Sequence, residues 1–480
     1  MDKIQKFTII HISSEVYPFS KTGGLADVAY SLAKEQAKDE TLRVVIFSPF
    51  YTNLINNSSE ITSTGLITHI NSGSGIFEYK LCKKAMNNLT IYFLSNEYFF
   101  GRSGFYAEAG KDYEDNDLRF GTFCNACLRF IEQLKLSPNI IHCHDWQSSF
   151  APIFMKTLYR NEYRNTKSVL TIHNLAFQGI FHRESISRLS LPETLFHVDK
   201  LEYYGKINYL KGAIIYADMV TTVSISYAEE IKTTEFGCGL DGIMSKYSFK
   251  LKGILNGIDY DVWNPEHDDL IYKAYNRAMP EDKEENKKYI TGKFGLSSNL
   301  PLFGMVSRLT EQKGADIIGE AITKIDLERA NFIFLGDGDN KTTKYFEDLS
   351  GKHKNIALYI GYNEALAHEI YAASDFYLMP SRFEPCGLSQ MIAMRYGTIP
   401  LVRNTGGLKD SVVDVDLGGY GIVFSGYSSE ALLISLQRAI KIYYRSTKAM
   451  RKTIMGLNFS WTRSAKEYIG LYKDCFGHLF

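Results

Sequence analysis

Short apolar, β-branched runs punctuate the chain at residues 7–12, 43–47, 89–94, 140–142, 168–172 and 219–223, and again at 302–306, 331–335, 356–360, 376–379, 399–402 and 421–424. Runs of this kind, bounded by polar and glycine residues, read as strands buried on both faces of a parallel sheet. Longer stretches with apolar residues at helical spacing lie between them, as at 28–36 and 388–396. Strand–helix alternation in two successive series predicts an α/β protein with two doubly wound domains. We place these at 1–253 and 254–456, followed by a segment, 457–480, whose aromatic and aliphatic residues recur at helical intervals and return it to the first domain. The charged, helix-prone segment 280–288 reads as a solvated surface.

Composition narrows the picture. A chain of 480 residues exceeds what one hydrophobic core organises, and 45% apolar with 22% charged residues is the balance of a globular protein. Lys plus Arg and Asp plus Glu both number 54, so no overall field favours nucleic acid or an anionic membrane, and neither is an expected partner. No apolar run approaches the roughly 20 residues that span a bilayer, and the N-terminal residues lead straight into a strand, so the cytoplasm is the expected compartment. Seven cysteines without regular spacing read as reduced thiols. Cys124 and Cys127 form an isolated CxxC in a helix-like stretch, and His142, Cys143 and His144 sit together. A single CxxC lacks a second ligand pair, and residues alternating on a buried strand end are the plainer reading, so no metal site is expected.

In open α/β sheets ligands bind beyond the carboxyl ends of the strands, and chemistry-bearing residues crowd those positions here. Glu15 and Lys21-Thr22-Gly23-Gly24 follow the first strand, His144 and Asp145 the fourth, His173 and Asn174 the fifth. In the second series the same positions hold Arg308, Gly336 to Gly338, Gly361 and Tyr362, and Arg382 to Gly387, and two such edges suggest a cleft between domains. Lys21-Thr22-Gly23-Gly24-Leu25-Ala26-Asp27 runs into a helix, offering glycine amides and a helix N-terminus to an anion or to sugar hydroxyls. Arg308 and Lys313 sit where a strand gives way to a helix, and two cations there suit a departing diphosphate. Pro380-Ser381-Arg382-Phe383-Glu384-Pro385-Cys386-Gly387-Leu388 sets a carboxylate in a rigid turn, fit to bind sugar hydroxyls or an oxocarbenium-like centre. Asp337-Gly338-Asp339 and Asp414-Val415-Asp416 mimic a DxD metal motif, but the cations supply the same electrostatic role, so no metal cofactor is expected.

Together these segments resemble the family of bacterial glycogen synthases and plant starch synthases, retaining glycosyltransferases of the GT-B fold, whose two Rossmann-like domains face a central cleft. The resemblance covers almost the whole chain, from Ser14-Glu15 through His144-Asp145-Trp146, Thr171-Ile172-His173-Asn174 and Asn256-Gly257-Ile258-Asp259 to Glu384-Pro385-Cys386-Gly387-Leu388. It implies transfer of glucose from ADP-glucose to the non-reducing 4-hydroxyl of an α-1,4-glucan such as glycogen. It also implies that Lys21, with Gly23 and Gly24 beside it, contacts the donor phosphates and that Arg308 and Lys313 stabilise the departing ADP. His173 would hydrogen-bond the transferred glucose, Asp145 would lie near its hydroxyls and the acceptor, and Glu384 would orient the ring. Tyr362 would stack on adenine, Asn256 would line the cleft, and Cys386, Gly387, Leu388 and Ser389 would complete the donor site. Ser389 stands where Thr is common in the family and keeps the hydroxyl. A UDP-glucose enzyme with a small acceptor, a pyridoxal-phosphate phosphorylase and a non-catalytic binding protein are the competing readings.

Overall fold

The structure is a computed structural model that describes residues 6–445 and 447–477. The first five residues of the expected first domain and the last three of the expected tail lie outside the described residues. The chain divides into two compact units. The first holds the described residues up to Val223, Ala228–Ile254 and those from Trp461 onward; the second holds Ser224–Tyr227 and Leu255–Ser460. Among the described residues no helix is long and apolar enough to cross a membrane.

The first unit is built on a nine-stranded sheet in the order Leu251–Gly253, Met219–Thr222, Lys167–Ile172, Ile140–His144, Phe7–Ile12, Leu42–Pro49, Leu89–Ser95, Gly75–Met86, Thr62–Ser72. All pairings are parallel except those of the last two strands, an antiparallel extension. From the central Phe7–Ile12 strand the chain builds outward on one side and then returns to add Ile140–His144 on the other. That reversal is a topological switch point, the place where strand ends diverge and leave room for a ligand. Helix Gly24–Gln36 covers the sheet with Ala26, Ala29, Tyr30, Leu32, Ala33 and Gln36, a stripe at helical spacing. The C-terminal helix Trp461–Asp474 packs against it, its own buried stripe of Trp461, Ala465, Tyr468, Leu471 and Tyr472 joining the same core.

The second unit holds six parallel strands in the order Ile356–Ile360, Asn331–Gly336, Leu302–Val306, Phe376–Met379, Ile399–Arg403, Ile422–Phe424. Its switch point lies between Leu302–Val306 and Phe376–Met379. Phe303 stacks on Phe332 and on Phe376, with ring centroids 5.2 and 5.0 Å apart, tying the three central strands together.

Segment 280–288 departs from the expectation of a solvated face. Helix Lys283–Lys293 buries Lys283, Asn286 and Lys287. Lys287 Nζ lies 2.7 Å from Asp375, which also pairs with Arg451 at 2.5 Å; Lys283 Nζ reaches the Tyr371 and Ala372 carbonyls and Thr398 Oγ1. Tertiary acceptors nearly ninety residues or more away satisfy ammonium groups whose sequence context resembles a surface.

Candidate active site

In the first unit the loop after Phe7–Ile12 is organised by Glu15, a buried carboxylate. Glu15 accepts hydrogen bonds from the Thr22 amide, from Thr22 Oγ1 at 2.7 Å and from the Tyr106 hydroxyl at 2.6 Å. Tyr106 OH in turn lies 2.8 Å from Ser14 Oγ. These bonds fix the loop that carries Lys21 and leads through Gly23, the cap residue, into helix Gly24–Gln36. Lys21 Nζ sits 2.9 Å from Asp27 Oδ1, with both side chains partly exposed.

Asp145 ends the Ile140–His144 strand at φ 56°, ψ −173°, a region otherwise almost reserved for glycine. Its carboxylate accepts from the His173 amide at 2.7 Å and from the Asn174 amide. Burial raises the Asp145 carboxyl to about 7, against the lowering effect of those two donors. The fold holds this strain where two strand ends meet, so Asp145 and His173 are positioned as one unit. His173 is partly exposed; desolvation lowers its imidazole to about 3 and keeps it neutral, and Nε2 lies 3.0 Å from His144 Nδ1.

In the second unit the carboxyl ends of the two switch-point strands carry opposite charges. Lys313 Nζ, beyond Leu302–Val306, lies 2.6 Å from Glu384 Oε2, beyond Phe376–Met379. Arg308 stands exposed in the same strand-to-helix connection. Glu384 is 4% exposed, and its oxygen also accepts from Ser381 Oγ at 2.9 Å. A small concavity beside the pair is lined by Val306, Ser307, Lys313, Tyr377, Ser381 and Ser389. Ser389 begins helix Ser389–Arg395, with Leu388 as its cap residue, and its hydroxyl bonds to that of Tyr377.

The Glu384 loop is built from outside the motif. Arg403 donates to the Ser381 carbonyl at 2.7 Å and to the Arg382 carbonyl, and Gln390 Nε2 donates to the Gly387 carbonyl at 2.7 Å and to Ser411 Oγ at 3.0 Å. Gly387 has φ 71°, a backbone that strains any other residue, and a Cβ there would sit 2.4 Å from Gln390 Oε1 and force Gln390 to move. A Cβ on Gly407 would lie 2.1 Å from the Cys386 carbonyl oxygen, so glycine there permits a close approach between two loops.

Within the first unit, then, Asp145 and His173 are in direct contact, while Lys21, Gly23 and Gly24 occupy the loop held by Glu15. Within the second, Lys313 and Ser389 line one concavity, and Glu384 is held against Lys313. Asn256 and Cys386 are buried together: the Asn256 amide and carboxamide donate to Cys386 Sγ, and burial pushes that thiol up to about 12. Tyr362 is 78% exposed in the loop between Ile356–Ile360 and Glu364–Ala373. Sequence reasoning assigned no role to Tyr106, Gln390 or Arg403: the Tyr106 and Arg403 side chains meet partners 21 or more residues away, and Gln390, though it bonds locally to the Gly387 carbonyl, reads as an ordinary helix residue until Ser411 meets it. Both DxD-like pairs have structural work: Asp339 Oδ1 accepts from the Thr342 amide at the start of a helix, and Asp414 pairs with Arg438. The cysteines of the CxxC are buried inside helix Asn116–Gln133, and Cys124 Sγ donates to the Gln147 carbonyl.

Residues 8–246 match the family described as starch synthase catalytic domain, and residues 286–454 the family described as glycosyl transferases group 1. With two Rossmann-like sheets, these matches define a glycosyltransferase of the GT-B fold. The chain is 42% identical to the glycogen synthase of Aquifex aeolicus over 98% of its own length and 99% of that protein. It is 41% identical to the glycogen synthase of Thermodesulfovibrio yellowstonii, covering 97% of each. Among solved structures it is similar to the catalytic domain of starch synthase IV from Arabidopsis thaliana bound to ADP and acarbose, with TM-score 0.91, 34% identity and coverage of 98% and 99%. Sucrose-phosphate synthase from Thermosynechococcus elongatus, at 17% identity, TM-score 0.63 and coverage of 98% and 99%, shares the fold alone. The chain belongs to the family of glycogen synthases and starch synthases.

Proposed function

We propose that the protein transfers glucose from ADP-glucose to the non-reducing 4-hydroxyl of an α-1,4-glucan with retention of configuration, releasing ADP, and does so in the cytoplasm without a metal ion. The observation that carries this reading is the Lys313–Glu384 pair at the second unit's switch point, with Arg308 in the same connection. Breaking a sugar–diphosphate bond leaves negative charge on the phosphate and positive charge on the anomeric carbon. Arg308 and Lys313 answer the first and Glu384 the second, the preorganised electrostatics that such a step requires. The starch synthase structure holding ADP and acarbose, a nucleotide and a glucan-like oligosaccharide, supports the same donor and acceptor classes.

In the first unit, a Cβ on Gly23 would meet nothing within 4 Å, and its extended backbone is open to any residue. Neither fold nor packing calls for glycine there, whereas a diphosphate drawn to the N-terminus of helix Gly24–Gln36 does. Lys21 then contacts the phosphates, His173 and Asp145 hold glucose hydroxyls, and Tyr362 stacks on adenine. Departing ADP takes the acceptor's proton on a phosphate oxygen, so attack proceeds from the face that ADP leaves and positioning supplies most of the rate. The test is incorporation of glucose into glycogen by the purified protein, with ADP-glucose and UDP-glucose in parallel and a chelator present. Incorporation mainly from ADP-glucose supports donor and metal independence together. Preference for UDP-glucose overturns the adenine assignment, and loss of activity with chelator overturns metal independence.

A further inference from the structure

Buried polar side chains in the first unit form one continuous hydrogen-bonded run behind His173. His173 Nε2 lies 3.0 Å from His144 Nδ1, His144 Nε2 3.1 Å from His11 Nδ1, and His11 Nε2 2.8 Å from Gln36 Oε1. Gln36 Nε2 donates to the Tyr472 hydroxyl at 3.1 Å, which lies 2.7 Å from His142 Nδ1, and His142 Nε2 lies 2.6 Å from Thr171 Oγ1. His11, Gln36, His142, His144 and Thr171 are each 0% exposed.

Burial keeps all four imidazoles neutral, and a neutral imidazole has one N–H donor and one acceptor nitrogen. Each bond therefore dictates the next. With the Gln36 carbonyl accepting from His11 Nε2–H, His11 Nδ1 accepts from His144 Nε2–H, and His144 Nδ1 accepts from His173 Nε2–H. His173 is left with Nδ1 as an acceptor. Between Gln36 and His173 only the carboxamide has chemically distinct donor and acceptor ends; the imidazoles follow its direction. Nitrogens of His11, His142 and His144 lie within 4.8 Å of one another, a spacing that also suits a metal. Both nitrogens of each ring, however, already have a hydrogen-bond partner, and His142 and His144 stack face to face with centroids 4.3 Å apart. Rings arranged in this way pass a bond along and do not converge on one ion.

We propose that Gln36 is a positioning residue for His173: acting through His11 and His144, its carboxamide fixes His173 as the Nε2–H tautomer and presents Nδ1 as an acceptor for a substrate hydroxyl. The substrate contact at Nδ1 rests on the reading of His173 as a glucose ligand. A histidine's distant partner sets which nitrogen is available, and a wrong tautomer disables chemistry even where geometry is intact.

Long-range ¹H–¹⁵N NMR of the ¹⁵N-histidine-labelled full-length protein reads the tautomer directly, with the His173 signals assigned by their loss in His173→Asn. The expected result is a protonated Nε2 and an unprotonated Nδ1. Gln36→Leu should give a mixture of tautomers and lower kcat roughly tenfold, with KM for ADP-glucose changed less than about twofold. Gln36→Glu, which keeps an acceptor toward His11, should restore the parental tautomer and most of kcat. Tyr468→Phe removes a hydroxyl 3.5 Å from Thr171, outside the His173–Gln36 run, and should match the parent. An Nδ1–H tautomer in the parent, or a Gln36→Leu protein with an unmixed His173, overturns the proposal. Should Gln36→Leu fail to fold, the parental and Gln36→Glu spectra still decide. The spectra do not depend on activity, so full turnover by His173→Ala overturns the sugar contact and leaves the tautomer assignment standing.

Discussion

Lys313 Nζ lies 2.6 Å from Glu384 Oε2, joining the carboxyl ends of the two strands that flank the second unit's switch point. The same oxygen accepts from Ser381 Oγ, so the carboxylate is held in place before any ligand arrives. Glu384→Gln keeps the shape and removes the charge. We expect kcat to fall by about 10²-fold or more, the scale of losing one electrostatic contact to a developing charge, while circular dichroism is unchanged. Turnover within threefold of the parent would remove Glu384 from the reaction.

Arg308 gives a sharper separation of function from stability. It is exposed, so Arg308→Ala should move unfolding free energy by no more than about 0.5 kcal/mol. Activity should nonetheless drop about 10²-fold, because the phosphate-directed charge is lost. Urea midpoints and initial rates on one preparation test both statements.

Asp145 predicts a pH dependence. Its folded carboxyl titrates at about 7, above the ordinary 3.8, so between these values the folded state binds more protons than the unfolded. Stability contributed by this group therefore falls as pH rises through that window. Asp145→Asn lacks the slope, and its stability relative to the parent should increase from pH 5 to pH 8 by an amount on the order of a few kcal/mol, as about 1.4 kcal/mol per pH unit implies. An identical pH dependence in parent and variant denaturation curves would refute the assignment. Activity that needs the ionised carboxylate should rise through about pH 7 in the parent and flatten in the variant.

Asp375 tests the buried charge network of the second unit. It pairs with Lys287 and Arg451 and accepts from the Leu302 amide at 2.8 Å. Asp375→Ala strips buried Lys287 of its carboxylate partner and leaves Arg451 with Glu284 alone, and should cost about 3–5 kcal/mol. The expected signature is a lowered denaturant midpoint with near-parental kcat in the folded fraction, since Asp375 belongs to none of the proposed substrate contacts.

Much of the architecture is legible in local pattern. The twelve apolar runs correspond to strands within one or two residues at each end, because strands buried on both faces need uninterrupted apolar residues. The antiparallel pair Thr62–Ser72 and Gly75–Met86 was not foreseen: it lies at the sheet edge, largely exposed, and alternates polar with apolar residues too weakly to stand out. The motif residues are visible for a similar reason, since Lys21, Asp145, His173, Lys313 and Glu384 all follow strands and the carboxyl end of a strand is a local feature.

What surrounds those residues is set elsewhere. Glu15 reads as a loop carboxylate until Tyr106 is placed against it, and Lys283 and Lys287 read as solvated until Tyr371 and Asp375 meet them. The sequence by itself determined two strand–helix series, the order of the chemical motifs and the family to which they belong, because each depends on neighbours within a few turns of chain. Only the tertiary structure decided which strands flank each switch point, that Asp145 takes a left-handed backbone, and that His11, Gln36, His144, His173 and Tyr472 form one run. Those features require contacts between residues up to 436 positions apart, and the free energy of burying polar groups depends on partners that local pattern does not specify.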